Sequence, residues 1–139
     1  MIQMIFGKRG SGKTKRIIDM ANDAIKEQKG DVLFIDDDNR YMFDLRHEIR
    51  FVNAGEYGAS GTDKFMGFII GVLASNFDIS VVFIDAFLRL VKIPKPDIHQ
   101  LIPFFEELEN LSTRCKVDFV ISFSEDASLV PEPIRKFAI

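Results

Sequence analysis

The sequence predicts an α/β fold: a three-layer α/β/α sandwich with a mostly parallel central sheet. Three observations carry this prediction. Apolar runs of strand length alternate with segments of helical period along the whole chain. The apolar runs are continuous rather than alternating, as strands covered on both faces require. The chain has 139 residues, 47% of them apolar, which suits one domain with enough apolar material for a core. Residues 1–139 are therefore expected to form a single domain.

The elements follow in order. Ile2–Phe6 reads as the first strand. Thr14–Lys29 reads as a helix with Ile17, Ala21, Ala24 and Ile25 on one face and charges opposite. Gly30 is expected to end it in a left-handed cap. Asp31–Ile35 is a strand buried on both faces, Tyr41–His47 is too short to assign, and Ile49–Val52 fits a third strand. Ala54–Gly61, with Gly55, Gly58 and Gly61, reads as a loop, and Thr62 as the cap of a helix over Asp63–Phe77. That helix is apolar nearly all round over Phe65–Ala74, so it is expected to be buried between layers or against a partner. Its Gly67 and Gly71 would permit close backbone approach. Ile79–Ile84 is the next buried strand. Val91–Gln100, with Lys92, Pro94, Lys95 and Pro96, reads as a loop. A helix over about Ile102–Thr113 follows, with Pro103 in its first turn, then a strand over Val117–Phe123. The tail Leu129–Ile139 has no clear pattern; a last strand at its end is one option.

The segment Gly7-Lys8-Arg9-Gly10-Ser11-Gly12-Lys13-Thr14 matches GxxxxGK[ST] at every fixed position, between the first strand and the first helix. The spacing has a physical basis. Such a loop wraps an anion so that successive backbone N–H groups point inward, and glycines allow the close approach. The helix that follows adds its positive N-terminal end. Lys13 is expected to reach the β- and γ-phosphates of a nucleoside triphosphate, and the Thr14 hydroxyl to ligate Mg²⁺. A magnesium site of this kind needs an acid at the end of another buried strand. Val81-Val82-Phe83-Ile84-Asp85 supplies it, with Asp85 as the metal residue beside Thr14. Asp36-Asp37-Asp38, after Leu33-Phe34-Ile35, offers a competing set. Asp85 is preferred because a further strand and helix precede it.

Through GKRGSGKT and VVFID the sequence resembles the P-loop NTPases. The strand over Val117–Phe123, with polar residues at its end, resembles the RecA-like division, where an additional strand lies between the cradle strand and the magnesium strand. The resemblance implies that Ser122 or Ser124 senses the γ-phosphate. Over its length the chain is also similar to a group of small ATP-binding proteins of anaerobic Gram-positive bacteria, sometimes labelled twitching-motility ATPases; FIDDDNRYMFDLRHEIRFVNAGEYG carries that likeness. It implies ATP binding rather than motility. Many hydrolases of the division carry a glutamate directly after the magnesium aspartate, and here that position is Ala86. Glu56, Asp38 and Glu125 are candidates to orient the attacking water instead. The resemblance thus implies Lys13, Asp85, Glu56 and Ser122 as the catalytic set, ATP and Mg²⁺ as ligands, and a slow hydrolysis coupled to a conformational or assembly change. Without a water-orienting acid, the nucleotide would act as a switch ligand.

Phe34-Ile35-Asp36-Asp37-Asp38-Asn39-Arg40 is similar to a segment of small-molecule kinases of the adenylyl-sulfate type, where a DGDN-R stretch meets the acceptor. An acid there can take a proton from a hydroxyl, and Arg40 would hold an anionic acceptor. The arginine-rich lid of such kinases is not evident, although Arg89, Lys92 and Lys95 lie in or beside a loop. A kinase is the alternative expectation, and a nucleotide-gated interaction module without turnover is the third.

Composition narrows the rest. A formal net charge of −3 argues against a general nucleic-acid binder. Cys115 is the sole cysteine, which excludes an intrachain disulfide, a cysteine-based zinc site and a CxxC pair; it is expected to be a small buried residue. His47 and His99 stand alone and read as surface residues. Phe104, Phe105, Leu108 and Leu111 have the spacing of a core face. The run Phe65–Ala74 is short of the roughly 20 residues that span a bilayer, and the start has no secretory pattern. A cytoplasmic protein with no membrane association is expected, with a protein partner or a homo-oligomer as an option.

Overall fold

The computed structural model describes residues 1–27, 29–93 and 97–139. The strands are β1 (Ile2–Phe6), β2 (Asp31–Asp36), β3 (Arg50–Asn53), β4 (Ile79–Ile84) and β5 (Asp118–Phe123). The helices are α1 (Lys13–Glu27), α2 (Thr62–Ser75), α3 (Phe87–Val91), α4 (Ile102–Cys115) and α5 (Glu132–Arg135). All strand pairs are parallel, in the order β1-β5-β4-β2-β3. The expected α/β/α sandwich is therefore built on a wholly parallel sheet.

β1, β2, β4 and β5 are mainly apolar because both faces are covered, whereas the edge strand β3 is only partly buried. One face packs against α1: Ile17, Ile18 and Ala21 meet Ile5, Phe34, Phe83 and Val120. The other face packs against α2, α4 and α5 through Phe65, Ile69, Phe105, Leu108 and Ile134. Phe87 is fully buried at the start of α3, with ring centroids 5.1 Å from both Phe104 and Phe105 and 6.0 Å from both Phe65 and Phe123. Aromatic pairs at these separations add to the burial energy. They pin this single turn to the core, beside the end of β4.

Several local expectations are corrected. Gly30 is not left-handed; it is needed because a Cβ there would lie 2.2 Å from the Asp78 carbonyl oxygen. Thr62 is the first residue of α2 rather than its cap. Gly61 precedes it at φ 87°, with no side-chain cap. The helix stops at Ser75, so Phe77 lies outside it and is 94% exposed. One face of α2 is buried, and Gly67, Ile70, Gly71 and Ala74 are exposed, with nothing within 4 Å of a Cβ built at either glycine. The close approach expected at these glycines does not occur among the described residues. The tail forms α5 and one isolated parallel bridge between Met4 and Ala138 rather than a strand. Cys115 is exposed at the last residue of α4, where the helix face turns to solvent. His47 and His99 are exposed. Gln28, at the expected end of the first helix, and Pro94, Lys95 and Pro96 of the expected loop lie outside the described residues.

No helix among the described residues is long and apolar enough to cross a membrane.

Candidate functional site

Parallel strands align their C-terminal ends on one edge of the sheet, where ligands bind in α/β folds. Here that edge carries the loop after β1, Ser122 and Ser124 on and after β5, Asp85 after β4 and Asp36 at the end of β2.

The loop after β1 is a preformed turn. Gly10 and Gly12 sit at φ 83° and 85°, a region that disfavours any residue with a Cβ. The Ser11 N–H donates to the Lys8 carbonyl at 3.1 Å, and the Gly7 N–H donates to the Glu125 carbonyl at 2.9 Å, tying the loop to the segment after β5. Lys8, Arg9 and Ser11 are exposed, whereas Lys13 is only 9% exposed. Its Nζ donates to the Lys8 carbonyl at 2.8 Å and lies 3.4 Å from Ser11 Oγ. Burial lowers the Lys13 pKa from its ordinary value, and the Asp85 carboxylate opposes part of that shift. A buried ammonium held by its own loop is placed to meet an anion.

Asp85 is 1% exposed and bonded through both oxygens. Thr14 Oγ1 donates to Oδ2 at 3.1 Å, and Ser122 Oγ donates to Oδ1 at 2.5 Å. Ser122 Oγ in turn accepts from the Ala86 N–H at 2.7 Å. Ala86 is left-handed, at φ 53° and ψ 53°, a conformation that costs an alanine about 1–2 kcal/mol. The bond to Ser122 helps hold it. This turn sends the chain from β4 into α3, which leads over the same edge. The oxygen-only pair of Thr14 and Asp85 fits a hard cation such as Mg²⁺, and the glycine loop with Lys13 fits a phosphate group.

A cavity of about 360 Å³ opens above this edge. Its lining includes the buried Lys13, Asp85 and Ser122 with Gly10, Gly12, Thr14 and Ala86. Arg9, Arg40, Tyr41, Arg89 and Ser124 form its rim. Four cationic side chains surround it, and Asp85 is the one carboxylate among the described residues lining it. Both sensor candidates, Ser122 and Ser124, reach the cavity, but only Ser122 bonds Asp85. None of the three acids considered for orienting water lines it. Glu56 is exposed beyond β3, the edge strand farthest from β1, with Asn53 Nδ2 at 3.4 Å. Asp38 accepts from the Arg40 N–H at 2.9 Å, and Glu125 from the Asp126 N–H at 3.0 Å.

The competing aspartates form their own cluster, with carboxylate oxygens of Asp36, Asp37 and Asp38 within 4.8 Å of one another. Arg89 is docked against it. Its Nε and Nη2 donate to Asp37 at 2.6 and 2.9 Å, and Nη2 lies 3.6 Å from Asp36 Oδ1. Burial, the largest influence, would raise the Asp37 pKa, but the hydrogen bonds from Arg89 and Asp36 and the Arg89 charge together hold the carboxyl below its usual range. The same contact holds the guanidinium firmly protonated. Asp36 is fully buried and its Oδ2 has no hydrogen-bond partner among the described residues. Desolvation, with repulsion from Asp85 and Asp37 and despite the Asp37 N–H bond, pushes its pKa up to about 8. The sequence suggests Arg89 only as a lid residue, because a one-turn helix has no period to place it, and Tyr41 lies in an irregular segment that only the fold brings to the loop. The chain matches no protein-family model and no curated protein.

Proposed function

We propose that the chain binds ATP with Mg²⁺ in the Gly7–Thr14 loop and hydrolyses it slowly, with a conformational or assembly change as the output. The observation that carries this reading is the 3.1 Å hydrogen bond between Thr14 and Asp85, residues 71 positions apart that meet beside a glycine loop and a buried lysine. In this reading the main-chain amides of the loop and Lys13 hold the phosphates, and Thr14 and Asp85 hold the cation, which would screen the phosphate charge. Ser122 fixes the Asp85 carboxylate. In hydrolysis a water oxygen bonds the γ-phosphorus, the bond from that phosphorus to the β,γ-bridging oxygen breaks, and ADP, phosphate and a proton to solvent result. The slowness follows from the cavity: Ala86 follows Asp85, and Asp85 is the sole carboxylate among the described lining residues. Positioning is most of phosphoryl-transfer catalysis.

Two other outputs of the same site have their own support. Arg40 on the rim favours transfer to an anionic acceptor, and the exposed face of α2 favours a protein partner or a second copy gated by nucleotide. One experiment separates the three. Purified protein is incubated with γ-labelled ATP and Mg²⁺, with and without a panel of anionic metabolites. Free phosphate without additives is the expected result, label on an additive would mean a kinase, and tight binding without turnover a switch. Lys13→Ala should weaken ATP binding by roughly 10- to 100-fold, since it removes a buried charge-assisted contact; unchanged affinity would overturn the site.

A further inference from the structure

We propose that Arg89 distinguishes a nucleoside triphosphate from a diphosphate in this site, with Asp37 as its positioning residue; this rests on the reading that Gly7–Thr14 holds the nucleotide. Arg89 lines the cavity together with Lys13, Thr14, Asp85 and Ser122. It stands on α3, whose start is fixed by the Asp85–Ala86 turn and by Phe87 in the core. Its guanidinium is held by one edge: Nε and Nη2 both go to Asp37. Nη1 has no hydrogen-bond or ion-pair partner among the described residues, so donors of the planar fork remain available on the side away from Asp37. A fork docked on a carboxylate loses little further freedom when it meets a second anion. In that reading Lys13 reaches the β- and γ-phosphates, so the cavity that Lys13 and Arg89 both line would take the terminal phosphoryl, which a diphosphate lacks. Arg40 also lines the cavity, but its side chain is 63% exposed and has one ion pair at 3.5 Å, with Asp38. It is not held in the same way.

The test is calorimetric titration of the full chain with Mg²⁺ and either ADP or the non-hydrolysable β,γ-imido analogue of ATP. Arg89→Ala is expected to weaken the triphosphate analogue by roughly 10- to 100-fold, the scale of a hydrogen bond to a charged group, and ADP by less than about twofold. Arg89→Lys should recover part of the difference, because it restores charge without the fork. Asp37→Asn should lower the triphosphate preference by a few-fold while leaving ADP alone. Should Arg89→Ala fail to fold, Arg89→Gln and Arg89→Lys carry the same comparison. Equal losses for both nucleotides, no loss for either, or a selective loss in Arg40→Ala instead would overturn the proposal. A wild-type chain that binds neither nucleotide would overturn the loop reading itself, a distinct result from equal binding losses in the variants.

Discussion

The ends of β4 and β2 lie side by side, and each carries a buried aspartate, yet the two carboxyls live in opposite conditions. Asp85 receives hydroxyls from Thr14 and Ser122 on its two oxygens. Asp36 receives the Asp37 N–H at 2.7 Å on one oxygen, while the other has no partner among the described residues. The strands are in register through Ile35 and Ile84, and the Asp85 N–H donates to the Ile35 carbonyl at 3.0 Å. Position along the strand therefore does not separate them. What separates them is strand order. β4 has β5 on its other side, which supplies Ser122, and the loop from β1 closes over the same end to supply Thr14. β2 has the short edge strand β3 on its other side, and its end faces Arg89 and two more acids. One carboxyl is hydrogen-bonded through both oxygens; its neighbour is pushed toward the neutral form, which limits the charge gathered at the edge.

The largest test of this contrast is Asp36→Asn. A raised carboxyl pKa means that the native state holds a proton that the unfolded chain releases. Native stability then falls as pH rises from the ordinary carboxylate range to about 8, the pKa reached by Asp36, and is flat beyond. The slope is at most about 1.4 kcal/mol per pH unit. The variant lacks this loss, so its stability relative to wild type should grow by a few kcal/mol across that window, measured as urea midpoints at several pH values. Parallel curves would mean that Asp36 is charged in the native state and that the contrast is wrong. Next in size is Asp85→Asn, expected to reduce the Mg²⁺-dependent gain in ATP affinity by roughly 10- to 100-fold, the range for disturbing a metal site, while shrinking the pH dependence of stability only in part, because desolvation rather than Asp85 is the main cause of the raised Asp36 pKa. A loss of Mg²⁺ dependence in Asp36→Asn, with none in Asp85→Asn, would exchange the two roles. The smallest expected effect is Ser122→Ala. It strips one donor from Asp85 and the acceptor from Ala86, for about 1–3 kcal/mol of stability by chemical denaturation, and should reduce phosphate release more than ATP affinity. An unchanged midpoint would show that the left-handed Ala86 turn does not depend on Ser122.

Much of the site was legible because it is local. The loop after β1 needs glycines at fixed offsets, and Gly10 and Gly12 do sit at positive φ. Asp85 could be read as the polar stop of an apolar strand, and the core spacing of Phe104, Phe105, Leu108 and Leu111 puts all four in the buried face of α4. Other features had no local signature. Glu56 follows a strand and a glycine-rich stretch, but β3 is the far edge of the sheet and carries it away from the cavity. Cys115 follows an apolar helix face, yet at the helix end that face has turned outward. Gly30 serves a close approach to Asp78, a contact across two elements that turn chemistry cannot reveal.

The sequence by itself determined the class of fold, the extent of the main strands and the conformation of the phosphate loop, because φ preferences and apolar periodicity act over a few residues. Tertiary structure alone decided which strand ends meet, hence that Thr14 and Ser122 go to Asp85, that Arg89 goes to Asp37, and that Asp36 is left short of partners. The physical reason is that the Val-, Ile- and Phe-rich runs of a parallel sheet are nearly interchangeable as strands. Their order is fixed by the packing of the helices that connect them, and no short stretch of the chain encodes that packing.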